Sequence, residues 1–318
     1  MGFITTVSGD IAAESLGFCQ SHEHLFIAKG HSFFVNPAIL IDDTEKSTQE
    51  ARLYKESGGG AVVDAQPVGA GRDAAALGRI SRESGVHIVA STGFHKLLFY
   101  PGEHWIFSCC EDKLTRIFID ELTLGMYGLC DGRHMPDERT GFCAGQIKTA
   151  LDSGKFTDEY RKLFSAAANA ANETGRTLMV HIEAGSDPVA LAEFFRKEKV
   201  EPTRLIFCHM DRTVLDLALH EEICARQIAL EYDTIARPKY HSDERETEIL
   251  LHMLEAGWEN QILMGLDTTR ERLKSYGGNI GLDYILKTYL PALQAAGIPQ
   301  KTINQIFINN PARIFSHD

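Results

Sequence analysis

Short apolar runs rich in β-formers alternate along the chain with longer stretches whose apolar positions recur at helical spacing. The runs are G-F-C-Q-S-H-E-H-L-F-I (17–27), A-V-V-D-A (61–65), H-I-V-A-S-T-G (87–93), A-G-Q-I-K-T-A (144–150), T-L-M-V-H-I-E-A-G (177–185), L-I-F-C-H-M-D (205–211), Q-I-A-L-E-Y-D (227–233) and Q-I-L-M-G-L-D-T (261–268). Helical candidates between them include Thr157–Thr174, Pro188–Glu198, Val214–Ala225 and Glu244–Gly257. The runs are apolar on both faces, as expected for strands held between a barrel interior and a helical layer. Strand and helix repeated eight times predict an α/β fold, a parallel (β/α)8 TIM barrel. A doubly wound open sheet is the competing architecture, and the lack of a G-x-G-x-x-G after the first run counts against it.

One segment breaks the rhythm. Between His95 and Phe142 no clean strand–helix unit is visible, and a stretch rich in Tyr, Cys and Gly predicts a long loop insertion with helices after strand three, capping the barrel mouth. The tail from Leu282 to His317 predicts a helix, a break at Ile298-Pro299 and a final helix. No linker composition divides the chain, so residues 1–318 are expected to form a single barrel domain.

Composition changes this picture little. The chain has 318 residues, 44% hydrophobic and 24% charged, with a formal net charge of −12. That charge argues against nucleic acid and anionic membranes as partners. Seven cysteines, an odd number with no C-x-x-C, predict reduced thiols in a cytoplasmic protein. No signal-peptide pattern and no apolar stretch of membrane-spanning length is visible.

The candidate chemistry lies at the ends of the strands. His22 and His24 stand two apart in a strand and so share a face. Lys148, His181, His209 and Asp267 each follow an apolar run and precede a loop. His181 follows Lys148 by 33 residues and His209 follows His181 by 28, close to one strand–helix unit each. Six polar groups from five strands therefore converge at the C-terminal mouth, where barrel enzymes keep their chemistry. Four imidazoles with a carboxylate suit a borderline divalent ion, and zinc needs no thiolate. An ammonium beside such ions would be repelled. Lys148 fits only with its charge removed, as in a carbamate, or else it forms an inward salt bridge with Glu183 or Asp267.

On S-H-E-H-L near the start, A-G-Q-I-K-T-A, V-H-I-E-A-G, F-C-H-M-D-R, M-G-L-D-T and N-N-P-A-R-I-F near the end, nearly the whole chain resembles the phosphotriesterase-related family of the amidohydrolase superfamily, and its lactonase branch in particular. The resemblance implies a metal-dependent hydrolase with two divalent metal ions, zinc first and manganese or cobalt as alternatives. It places His22, His24 and Asp267 on a more buried ion and His181 and His209 on a more exposed one. It also implies a carboxylated Lys148 and a hydroxide bridging the ions, catalytic proton transfer by Asp267, and a homodimer.

The substrate is read from A-R-P-K-Y-H (236–241) and D-T-T-R-E-R-L-K-S-Y-G-G (267–278), after the seventh and eighth strands. Barrel loops there often bind phosphate. Lys239 and Arg270 are the expected anion contacts, Tyr240 and Tyr276 weaker ones, and His95 a further substrate contact. The expected reaction opens a lactone ring on a small molecule carrying a phosphate or other anion. Phosphotriesterase, phosphoesterase or arylesterase action at the same site is the alternative. A non-catalytic ligand-binding barrel is disfavoured by the complete ligand set. Asp64 is expected to partner a metal-bound histidine, and Asp211 to join a proton relay or pair with Arg212.

Overall fold

The computed structural model describes residues 2–152 and 156–317. A hairpin of β1 (Phe3–Thr6) and β2 (Gly9–Ala12) comes first, followed by eight strands: β3 (Cys19–Glu23), β4 (Ala61–Asp64), β5 (His87–Gly93), β6 (Gln146–Ala150), β7 (Leu178–His181), β8 (Leu205–Cys208), β9 (Ala229–Tyr232) and β10 (Ile262–Met264). β3 to β10 pair in parallel and in sequence order. The first and last of these strands meet where the Asp267 N–H donates to the His22 carbonyl at 2.9 Å and Ser21 Oγ donates to the Met264 carbonyl at 2.9 Å. The result is the expected TIM barrel, nearly closed.

Alternation along the strands sorts the core into two parts. Inside the barrel lie Cys19, Ala61, Val63, Val89, Met179, Ile206, Cys208 and Leu263. Their neighbours Val62, Ile88, Val180, Phe207, Leu230 and Ile262 join the layer between barrel and helices. The hairpin, which the sequence reading did not anticipate, inserts Ile4 into the inner cluster. It is tied to the barrel by the Val7 N–H donating to the Ile88 carbonyl.

The helices begin on short polar caps, Asp43, Asp73, Thr157, Asp187, Asp216 and Ser242, each accepting from a backbone N–H of its own first turn. Asp216 moves the start of one helix to Leu217, later than the expected Val214. The 95–142 segment contains helices as expected, and one of them, Glu111–Thr123, is a regular barrel helix that buries Leu114, Ile117, Phe118 and Leu122. Its cap position is Cys110, which makes no side-chain cap bond, so no N-terminal signal marked it in the sequence. In the tail, π-helical turns Ile285–Tyr289 and Gln305–Asn309 precede Pro291 and Pro311, whose missing N–H disfavours the regular ladder. Among the described residues no helix is long and apolar enough to cross a membrane.

Candidate active site

The six expected residues reach one cavity by different local routes. From Cys19, strict alternation would point Ser21 and Glu23 inward. A register irregularity between Gln20 and Glu23 reverses the parity, so His22 and His24 face the interior instead. Lys148 and His181 continue the inward rows of β6 and β7. His209 and Asp267 follow their strands at φ 63° and 46°, a left-handed conformation costly for residues other than glycine. Gly93 at φ 97° lets β5 approach β6, because a Cβ there would lie 2.0 Å from the Lys148 carbonyl.

His22 Nε2 and His24 Nε2 lie 3.9 and 3.5 Å from Asp267 Oδ1. Lys148 Nζ stands 3.3 Å from His22 Nε2 and 3.5 Å from Cys208 Sγ. The His181 and His209 rings meet edge to face at 4.3 Å. The cavity over these groups has a volume of about 220 Å³. Lys148 forms neither of the salt bridges open to it on sequence grounds. Glu183 is engaged by Lys96 Nζ at 2.7 Å, and Asp267 Oδ2 by Arg212 at 2.9 Å and by Arg237.

Three of the four histidines have an acid on the ring; His24 Nδ1 is buried without a hydrogen-bond partner. Glu231 Oε2 is 2.6 Å from His22 Nδ1, Asp233 Oδ1 is 2.7 Å from His209 Nδ1, and Glu183 Oε2 is 3.2 Å from His181 Nε2. These contacts fix ring orientation through one nitrogen of each ring; the other nitrogen of His22 faces Lys148 Nζ. Burial, aided by nearby cations, pushes His22 and His209 well below the ordinary imidazole range, and burial takes His181 down to about 4. All three are held neutral, the form that ligates metals. Asp267 resists its own burial because Arg237 and Arg212 hold the carboxyl well below its usual range.

Glu231 and Asp233 were given no role in the sequence reading. Their signal was present: both fall on the inward row of β9 that starts at Ala229. The Asp267 clasp of Arg212 and Arg237 was also missed, since one arginine follows β8 and the other lies in the loop after β9. Asp64 does not back a histidine ring; its carboxylate accepts from the Leu25 and Gln66 N–H groups. Asp211 accepts from the Asp233 and Thr234 N–H groups.

The expected substrate contacts divide. His95, Lys239 and Tyr240 line the cavity. Tyr240 is half exposed and three cations approach its ring: Lys239 Nζ at 4.7 Å, Arg212 at 4.8 Å and Arg237 at 5.6 Å. Arg270 and Tyr276 do not line it. Arg270 pairs with Asp42 at 3.0 Å and lies over the Tyr276 ring, whose hydroxyl bonds Ser47 and the Asp43 backbone. The acid at position 42 turns Arg270 toward the rim.

The donor set fits a divalent cation. Ligand atoms sharing one tetrahedral ion at about 2.1 Å stand roughly 3.4 Å apart. His22, His24 and Asp267 approach that spacing, and a second group of His22, His209 and Asp233 also places its ligand atoms within 4.8 Å of one another. A model of the phosphotriesterase family matches residues 2–315.

The chain belongs to the phosphotriesterase family.

The family uses a binuclear metal centre; its members are metal-dependent hydrolases, and this chain is a hydrolase of that family. Curated relatives include a phospho-furanose lactonase of Mycoplasmopsis agalactiae, 27% identical over 99% of this chain and 92% of the relative. An N-acetyltaurine hydrolase of Tetraodon nigroviridis is also 27% identical, over 98% and 97%. Among solved structures, a lactonase from Listeria monocytogenes superposes with a TM-score of 0.90 at 31% identity, covering 99% of each chain. The phosphotriesterase homology protein of Escherichia coli, complexed with phosphate in its active site, gives 0.84 at 26% identity, over 95% and 99%.

Proposed function

We propose that this phosphotriesterase-family hydrolase opens a lactone carrying a phosphate or similar anion. The observation that carries the reading is the placement of Lys239 and Tyr240 on the wall of the same cavity whose floor holds the four histidines, Lys148 and Asp267. The phospho-furanose lactonase and lactonase relatives support the substrate class. Two divalent cations, zinc by donor chemistry, would be held by His22, His24 and Asp267 and by His181 and His209, with Lys148 serving as a ligand once its charge is removed as a carbamate. Bound there, the cations would acidify a water and polarise the substrate carbonyl.

The chain's own residues do the rest. Glu231, Asp233 and Glu183 hold the imidazoles in fixed tautomers. Arg212 and Arg237 occupy Asp267 Oδ2, so the carboxylate stays ionised with Oδ1 turned to the reacting centre. From there Asp267 takes a proton from the attacking water and returns it to the ring oxygen as the acyl–oxygen bond breaks. Lys239 binds the distal anion as a point charge, and Tyr240 forms its platform.

The test is a pH-indicator assay on zinc- and bicarbonate-loaded protein, comparing sugar lactones with and without a phosphate. Preference for the phosphorylated set, lost in Lys239→Ala with kcat on plain lactones unchanged, is the expected result. Equal turnover of both sets, or a Lys239→Ala variant that keeps the preference, rules out the anion reading and leaves the metal site untouched.

A further inference from the structure

Behind the cavity wall lies a second group of ligand-type side chains. Asp211 comes from the short helix Met210–Thr213 after β8, His241 from the loop after β9, and Glu246 from the first turn of the helix Asp243–Glu255. Their ligand atoms all lie within 4.8 Å of one another. His241 Nε2 is 3.2 Å from Glu246 Oε2 and 4.0 Å from Asp211 Oδ2. Glu246 is 0% exposed and Asp211 1%.

Hydrogen bonding leaves this group unfinished. Both carboxylate oxygens of Glu246, Asp211 Oδ1 and His241 Nε2 are buried without a hydrogen-bond partner. Four such atoms at one place is unusual in a native interior, where nearly every buried polar atom is paired. The other atoms are already used: Asp211 Oδ2 accepts from two backbone N–H groups, and His241 Nδ1 is 3.0 Å from the Ser242 carbonyl. A Nδ1–H donated to that carbonyl leaves Nε2 as a lone-pair donor facing the two carboxylates. One nitrogen with two carboxylates is a donor set for zinc or manganese. A cavity of about 110 Å³ bounded by Asp211, Tyr240 and His241 adjoins the group and offers an entry path.

We propose that Asp211, His241 and Glu246 bind a third divalent cation, separate from the catalytic centre and structural in role. It does not depend on the substrate reading. The cation ties the end of β8 to the loop 234–242 and to the following helix. That loop carries Arg237, Lys239 and Tyr240, so the site fixes the wall of the catalytic cavity. Without a cation the cluster must hold a proton to relieve two carboxylates buried beside one imidazole.

The experiment is metal analysis of zinc-loaded, desalted protein, wild type against His241→Ala and Glu246→Gln, with folding checked by circular dichroism. His241 is partly exposed, so its alanine variant is the one expected to fold; His241→Gln is the substitute if it does not. Loss of one metal equivalent per chain in each variant, whatever the wild-type total, is the expected result. An unchanged metal content in the folded variants overturns the site and leaves a proton in its place. His22→Ala, measured alongside, reports on the catalytic centre separately, so failure of one reading does not conceal the other.

Discussion

His104 is built to stay neutral, and stability should show it. The residue is 1% exposed, between the rings of Tyr100 at 4.7 Å and Trp105 at 5.0 Å. Its Nε2 lies 3.2 Å from the Cys130 carbonyl, while Nδ1 accepts from the Ile106 N–H at 3.2 Å. A proton added to Nδ1 would displace that N–H and find no acceptor. Burial accordingly takes the ring from 6.5 down to about 4. The native state binds fewer protons at this site than the unfolded chain, so stability falls as pH drops through 6.5 and the loss is complete below 4. Between pH 7 and pH 5 the site alone removes roughly 2 kcal/mol, or about 3 °C of melting temperature for a chain of this size. His104→Asn keeps a cap acceptor for Ile106 without a titrating group. Urea unfolding at pH 7, 6 and 5, at matched metal content, should show the wild type losing about 2 kcal/mol more than the variant over that range. Parallel pH curves would refute the reasoning.

Three further predictions rest on single contacts. Arg72 and Glu121 form a buried bidentate pair with both N···O distances 2.7 Å. Arg72→Met should destabilise by about 3–5 kcal/mol, read by thermal melting, with part of the loss recovered in Arg72→Met/Glu121→Leu; a single-variant loss under about 1 kcal/mol contradicts this. Asp233→Asn weakens the carboxylate behind His209 and should lower metal affinity about 10- to 100-fold in a chelator competition; unchanged affinity removes the orienting role. Gly93→Ala would drive a methyl into the Lys148 carbonyl, so a folded variant with intact metal content would mean that β5 and β6 can separate at no cost.

What the sequence made legible follows the physics of each signal. The eight strands could be read because buried parallel strands are apolar on both faces, and four polar positions, Lys148, His181, His209 and Asp267, stood out because they ended those runs. His22 and His24 were assigned the right face although the parity of β3 reverses between Gln20 and Glu23, because their own i, i+2 spacing is local and does not depend on where the strand begins. Glu231 and Asp233 have the same i, i+2 spacing, but they sit in a run that looks like an ordinary half-polar strand. Their meaning appears only when the histidines of β3 and of the turn after β8 are placed beside them.

The arginines mark a different limit. Arg212, Arg237 and Arg270 are all loop arginines close to strand ends, and charge alone does not separate them. The structure sends Arg212 and Arg237 inward to one oxygen of Asp267, and sends Arg270 outward to Asp42. The difference lies in the partner acid. Asp267 is buried and still ionised, and an isolated carboxylate there would be expensive unless paired. The two guanidiniums nearest it are therefore recruited to its stabilisation. Asp42 is more than a third exposed by side chain and its pair with Arg270 is a surface contact, of the kind worth little and easily exchanged. An anionic substrate competes poorly for Arg212 and Arg237 but meets Lys239 on the cavity wall, a cation with no carboxylate partner among the described residues. The anion-binding reading therefore rests on Lys239, and Arg270→Ala should leave turnover of a phosphorylated lactone within about threefold of wild type, whereas Lys239→Ala should raise KM by about tenfold or more, the loss of one charge-assisted contact. The reverse ranking of the two variants would show that Arg270 leaves Asp42 when substrate binds.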